Sequence, residues 1–212
     1  MIAATGIEEL LFEIAEALRY PVLAAAVAAL AFLLFDLGAF VVELLRRTGR
    51  DGGEHVQLAS ANARQALELS DPPAAARALM PLASSAQMAD TLSQLVAHHG
   101  QPAAGDRRAK ALADFDLRSL RKLERSRILV RFGPALGLMG TLIPLSPALE
   151  GLAEGNVAQL SENLRVAFSV TVVGLLIGAV AFAISLVRDR LYAQDLSDLE
   201  YVAAALEAQE GR

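Results

Sequence analysis

Residues 166–187 read VAFSVTVVGLLIGAVAFAISLV, 22 residues without a charge. As an α-helix such a run is roughly 33 Å long at about 1.5 Å per residue, enough to cross a hydrocarbon core of about 30 Å. A helix apolar on every side belongs in lipid or in the middle of a very large core, and a chain of 212 residues has little room for the second. Two further runs are of the same kind. Residues 20–42 are apolar except for Asp36, with Pro21 where a first helical turn tolerates it. Residues 132–149, FGPALGLMGTLIPLSPAL, are uncharged but shorter and carry Pro134, Pro144 and Pro147, so a re-entrant or buried soluble segment is the alternative there. A hydrophobic share of 54% with only 5% aromatics makes the apolar mass small and aliphatic, the composition of closely packed helices. The expected fold class is an all-α integral membrane protein with three transmembrane helices, a helical cytoplasmic region and an N-terminal amphipathic helix.

Lys and Arg beside the runs set the expected orientation, because basic flanks stay on the cytoplasmic side. Arg46, Arg47 and Arg50 follow the first run, Arg118 to Arg131 supply six basic residues before the second, and Arg188 and Arg190 follow the third. The opposite flanks are acidic, with Glu8, Glu9, Glu13 and Glu16 at the start and Glu150, Glu154 and Glu162 after the second run. The amino terminus is therefore expected outside and the carboxyl terminus inside, and the acidic start argues against a cleaved signal peptide. The organisation reads as an outer amphipathic helix over 1–19, spans over 20–45, 132–149 and 166–187, a cytoplasmic helical region over 46–131, a short outer loop over 150–165 and a cytoplasmic helix over 188–212. Within 46–131 the periodicity predicts helices over 56–69, 73–82 and 88–98, and a charged helix from Arg107 that runs on into the second span. RTGRDGG and HHGQPAAGD read as linkers. In the last helix Asp195 shares a face with Leu191, Leu199, Val202 and Leu206, a face suited to packing on neighbouring cytoplasmic helices.

Several chemistries lose support at once. There is no Cys, hence no disulfide or thiolate site; His98 and His99 lack a partner at ligand spacing, so no metal and no cofactor is expected. No G-x-S-x-G marks a nucleophilic serine, and no catalytic residue is assigned. A net charge of −5 offers no field for nucleic acid, and the basic run 118–131, interleaved with leucines, suits an anionic membrane surface. Within the second and third spans no side chain titrates, although ion pathways in lipid ordinarily use acids or bases. What those spans hold is small and hydroxylated: Gly133, Gly137, Gly140 and Thr141 in one, Ala167, Thr171, Gly174 and Gly178 in the other, each with a G-x-x-x-G. Such spacing suits close helix packing, within one subunit or between subunits. Asp36 is the one acid inside a run; it either sits near the headgroups or, if deeper, is paired or faces a wet cavity.

The stretches GPALGLMGT and AFSVTVVG, within residues 128–187, resemble the paired spans of the MotA/TolQ/ExbB proton-channel family. The three-span topology with a large cytoplasmic insertion is similar to its TolQ and ExbB branch. That resemblance implies a homo-oligomeric ring, usually of five, around a single-span partner of the ExbD, TolR or MotB kind whose span bears an essential Asp. It also implies that Thr141 and Thr171 line the ring's interior and face that carboxylate, while Gly133, Pro134, Gly137, Gly140, Ala167, Gly174 and Gly178 serve helix packing and subunit contact. Pro144 stands where relatives commonly have Gly, and Val166 or its neighbour where many have an acid.

Overall fold

A computed structural model describes residues 2–47 and 53–210 of the chain. Among the described residues every regular element is helical. The order is α1 (Ile2–Ala17), α2 (Arg19–Arg47), α3 (Gly53–Glu68), α4 (Pro72–Leu79), a 3-10 turn (Met80–Leu82), α5 (Ala86–Ala97), α6 (Ala104–Ala153) and α7 (Val157–Glu210). Three helical stretches are long and apolar enough to cross a membrane: Glu9–Arg47, Ala104–Ala153 and Val157–Ala208. The all-α, three-span class expected from the sequence is the class observed. The RTGRDGG linker lies mostly outside the described residues, as do Arg50 and the last two residues.

Local chemistry explains where the helices begin and end. Pro21 has no N–H to give the Ala17 carbonyl, and the helix breaks at Leu18 between α1 and α2. Asp71 caps α4 by accepting from the Ala74 N–H at 2.9 Å, with Pro72 and Pro73 in the first turn, and Ser85 caps α5 through the Met88 N–H at 3.2 Å. The charged helix does run on into the second span: α6 is continuous from Ala104 to Ala153, through three prolines. The third span and the C-terminal segment are likewise one helix, α7.

The expected outer loop over 150–165 is mostly helix instead, and only Glu154 to Asn156 interrupt it. Gly155, at φ 73°, takes the left-handed position that closes α6: its N–H bonds the Leu152 carbonyl while the Asn156 N–H bonds that of Gly151 at 2.7 Å. Asn156 then starts α7, its Oδ1 accepting from the Gln159 N–H and its side-chain amide donating to Gln159 Oε1 at 3.1 Å. Gly-Asn followed by Gln at the third position is a helix stop and start compressed into a reversal.

The chain divides into two compact units. The first comprises residues 1–40 and 124–185. Its buried centre is Leu33 of α2, Leu129 of α6 and Ile177, Ala181 and Ile184 of α7. Its outside is apolar too: Val27, Leu34 and Phe35 on α2, Leu138, Leu142 and Leu149 on α6, and Phe168, Val172 and Phe182 on α7 are all exposed. A unit with apolar side chains on both its inside and its outside is suited to lipid rather than water. The second unit comprises residues 41–123 and 186–212, with a water-type core in which Leu79, Met88, Leu92, Leu95 and Phe115 pack on Leu199, Val202 and Leu206.

Candidate functional site

The two G-x-x-x-G motifs lie against each other. A Cβ added at Gly174 would stand 2.5 Å from the Gly133 carbonyl oxygen and 2.7 Å from the Gly137 Cα; one added at Gly133 would stand 2.7 Å from the Gly174 oxygen and 2.8 Å from the Gly178 nitrogen. These are backbone atoms, so only glycine permits the approach. Gly178 faces the Pro134 ring, whose Cδ and Cγ would lie 2.8 Å from its Cβ. Pro134 cannot donate to the Val130 carbonyl, and that carbonyl lies 3.4 Å from the same Cβ position, so the gap in the α6 bonding ladder is covered by the one residue type that leaves room. Gly140 sits against Val170, and Gly137 against the Thr171 backbone. Ala167 is buried on the same α7 face. The structure therefore brings Gly133, Pro134, Gly137, Gly140, Ala167, Gly174 and Gly178 together as the α6–α7 contact within one chain. Pro144 is also buried, and with Gly140, Val22 and Val166 it lines a small crevice beside Arg19.

Within the apolar lengths of this pair, 132–149 and 166–187, the polar side chains are hydroxyls alone. Thr171 is half-buried, and its Oγ1 lies 3.1 Å from the Gly137 carbonyl oxygen across the interface and 3.2 Å from the Ala167 carbonyl oxygen of its own helix. One proton serves both acceptors, which leaves the oxygen lone pairs as the part of the group able to take a further partner. Thr141, also half-buried, donates to the Leu138 carbonyl at 2.7 Å. Ser169 and Ser185 likewise donate to carbonyls of their own helix, Arg165 and Phe182. Among the described residues no group of three or more His, Cys, Asp or Glu is placed to hold a metal ion.

A family model described as the MotA/TolQ/ExbB proton channel family matches residues 83–200, more than half of the chain and all of the α6–α7 pair's apolar length. The chain belongs to the MotA/TolQ/ExbB proton channel family. It is accordingly a multi-pass membrane protein of a channel family rather than a member of an enzyme family. Neither the curated proteins nor the solved structures give a match. Within this family member, α1 to α4 lie outside the matched stretch.

Three polar arrangements were not visible in the sequence. Asp36 is partly buried and accepts from the Ser126 hydroxyl at 2.9 Å, and Ser126 is wholly buried on α6. Arg19 donates to Asn163 Oδ1 at 3.2 Å, and Asn163 is buried on α7. In the second unit Arg47 grips Asp195 with two bonds of 2.8 and 2.7 Å, and Ser84 donates to the same carboxylate at 2.8 Å. Beside them Glu43 accepts from Arg188 at 3.3 Å and from the Tyr192 hydroxyl at 3.4 Å. Burial alone would lower the Arg47 guanidinium, but the Asp195 bonds and the charges of Asp195 and Glu43 outweigh it and hold it above its ordinary value. Burial, reinforced by the negative charge of Glu43, pushes the Tyr192 phenol well up. The signal for this cluster was Asp195 standing at a buried register between Leu191 and Leu199, where a carboxylate demands a cation.

Proposed function

We propose that this family member is the ring-forming subunit of a complex in which proton flow through the cytoplasmic membrane energises a single-span partner bearing an intramembrane Asp. The observation that carries the reading is the α6–α7 pair: its apolar lengths, 132–149 and 166–187, hold no titratable side chain, and their polar side chains are hydroxyls alone. A proton path through this pair needs an acid, and the acid must come from another chain or from outside the pair. The amino terminus outside and the carboxyl terminus inside are supported by the basic flanks, and the cytoplasmic membrane by the family resemblance. A homo-oligomer, five subunits by family resemblance, gives the partner a closed surround, and the exposed apolar faces of α2, α6 and α7 supply both subunit and lipid contact.

Thr141 and Thr171 act as positioning groups in this scheme, since a threonine does not titrate in the physiological range. With its proton engaged by carbonyls, Thr171 presents lone pairs, which accept from a protonated carboxylic acid and do little for a carboxylate. A carboxyl group drawn between charge-free helices is itself shifted toward its neutral form by desolvation. Both effects favour carrying the proton on the partner's Asp through the apolar zone. A structural scaffold without ion conduction is the second reading, favoured by the glycine contacts being used within one chain and by the Thr171 proton being satisfied there.

Proton flux into vesicles holding the chain with its partner separates the two readings. Thr171→Val keeps shape and removes the hydroxyl. With oligomer mass unchanged, coupled flux should fall by about tenfold or more, the factor that one hydrogen bond of ~1.4 kcal/mol commands. Unchanged flux removes the hydroxyl from the pathway, and absence of flux in vesicles holding the unmodified chain with its partner leaves the scaffold reading.

A further inference from the structure

At the α1–α2 end of the first unit lies a cavity of about 210 Å³, walled by α1, the start of α2 and α6. Its polar lining is Glu16, Arg19, Ser146 and Glu150, and its apolar lining includes Phe12 and Leu142. Arg19 opens α2 immediately before the apolar run 20–42, and Glu150 follows the apolar run 132–149, so all the charges stand at one end of the spans, at headgroup level. The charges are not paired with one another. The Arg19 guanidinium bonds the Asn163 amide oxygen, a neutral acceptor, and among the described residues no carboxylate comes within ion-pair distance of it. Glu16 and Glu150 likewise meet no cation among the described residues. A half-buried guanidinium held by a buried amide, beside two uncompensated carboxylates and an apolar wall, is a site with two signs of charge and a greasy edge.

We propose that this cavity binds the headgroup of a zwitterionic phospholipid with a primary ammonium, of the phosphatidylethanolamine class. Arg19 takes the phosphate, for which its planar fork is suited, and Ser146 supplies a hydroxyl donor to the same oxygens. Glu16 and Glu150 take the ammonium, which has three N–H donors to share between them. The acyl chains leave along exposed Phe12 and Leu142. An anionic headgroup satisfies Arg19 and repels the two carboxylates, while a trimethylated amine satisfies the charges and donates no hydrogen bond; the ethanolamine headgroup meets both requirements. The inference rests on α2 and α6 crossing the membrane and is independent of whether protons pass.

The test uses the full chain, purified in detergent, stripped of lipid and given dioleoyl phosphatidylethanolamine, phosphatidylglycerol or phosphatidylcholine, with retained lipid counted by native mass spectrometry. Retention of the ethanolamine lipid above the other two is expected. Arg19→Gln should retain about tenfold less, the factor of one charge-assisted bond, and Glu16→Gln with Glu150→Gln should erase the preference over phosphatidylglycerol. Far-UV circular dichroism and oligomer mass report that each variant is folded. Equal retention of all three lipids, no retention at all, or undiminished retention by folded Arg19→Gln overturns the proposal. Soluble phosphoethanolamine competing as well as the lipid also overturns it, because the acyl contacts then contribute nothing. Proton flux measured on the same samples keeps the two readings apart: lost lipid preference with flux intact counts against this site alone.

Discussion

Gly174→Ala tests whether the α6–α7 contact is as close as its geometry requires. The new methyl would stand 2.5 Å from the Gly133 carbonyl oxygen, 2.7 Å from the Gly137 Cα and 2.8 Å from its nitrogen. Comfortable carbon contacts begin at about 3.5 Å, and backbone atoms have no rotamer by which to escape, so the helices must part by roughly 1 Å. Overpacking of that kind costs about 1–3 kcal/mol. The same separation stretches the Thr171 to Gly137 bond, now 3.1 Å, whose loss adds about 0.5–1.5 kcal/mol. Alanine's better helix propensity returns up to about 1 kcal/mol, leaving a net destabilisation of roughly 0.5–4.5 kcal/mol. Gly137→Ala is the internal control. Its methyl would meet the Thr171 and Gly174 backbones at 3.3 to 3.4 Å, a fit needing a shift of only a few tenths of an ångström, so its net effect should lie within about 0.5 kcal/mol of zero. Both are glycines of a G-x-x-x-G in a membrane helix, and motif membership alone gives no reason to rank them. Reversible unfolding in mixed dodecyl maltoside and SDS micelles, followed by circular dichroism, measures the difference. Equal destabilisation by the two substitutions would refute the reasoning.

The remaining predictions concern the second unit, with one exposed ion pair of the first as a control. Asp195→Ala leaves Arg47, whose side chain is 10% exposed, with Glu43 at 3.4 Å as its remaining acid and should destabilise by about 1.5–3 kcal/mol, whereas Arg165→Ala, breaking the exposed pair with Glu162, should leave the same unfolding curve unchanged. Asp198 is raised above its ordinary value of 3.8, first by burial, so the native state holds its proton longer than the unfolded chain does, and its contribution to stability declines as pH rises above 3.8. Asp198→Asn should therefore stabilise increasingly as pH rises from there and then level off, seen by comparing denaturation midpoints at stepped pH. Tyr192 is raised for the same first reason, so native protein should lose stability as pH climbs above 10.0, and Tyr192→Phe should remove that part of the loss.

Much of the fold was legible because it is written in local terms. A run such as 166–187 needs no knowledge of its partners to declare its solvent. The glycines of both spans announced close packing, though not whether against their own chain or a neighbour's. Legibility ended where partners lie far apart in sequence. Arg47 and Asp195 are separated by 148 positions, Arg19 and Asn163 by 144, Asp36 and Ser126 by 90, and no periodicity links them. The Gly155-Asn156 reversal was missed for another reason: hydropathy ends a span where polarity begins, whereas a helix ends where its caps are, and polar turns lengthened α6 and α7 beyond their apolar portions.

The glycine contact and the proposed chemistry are one arrangement. While its proton is engaged Thr171 meets a partner as an acceptor and not as a donor, and the interhelical group that engages it is the carbonyl of Gly137, itself a member of the contact that Gly174 makes possible. A helix pair held apart by a methyl at 174 would leave the hydroxyl proton to the Ala167 carbonyl alone, at 3.2 Å, and make it easier for the hydroxyl to turn and donate to a carboxylate instead. On the proposed reading, tight packing and ion specificity are therefore not separable properties of these spans. On that reading the glycines, by setting how closely the helices approach, also set the sense of the hydrogen bonds that the pathway offers.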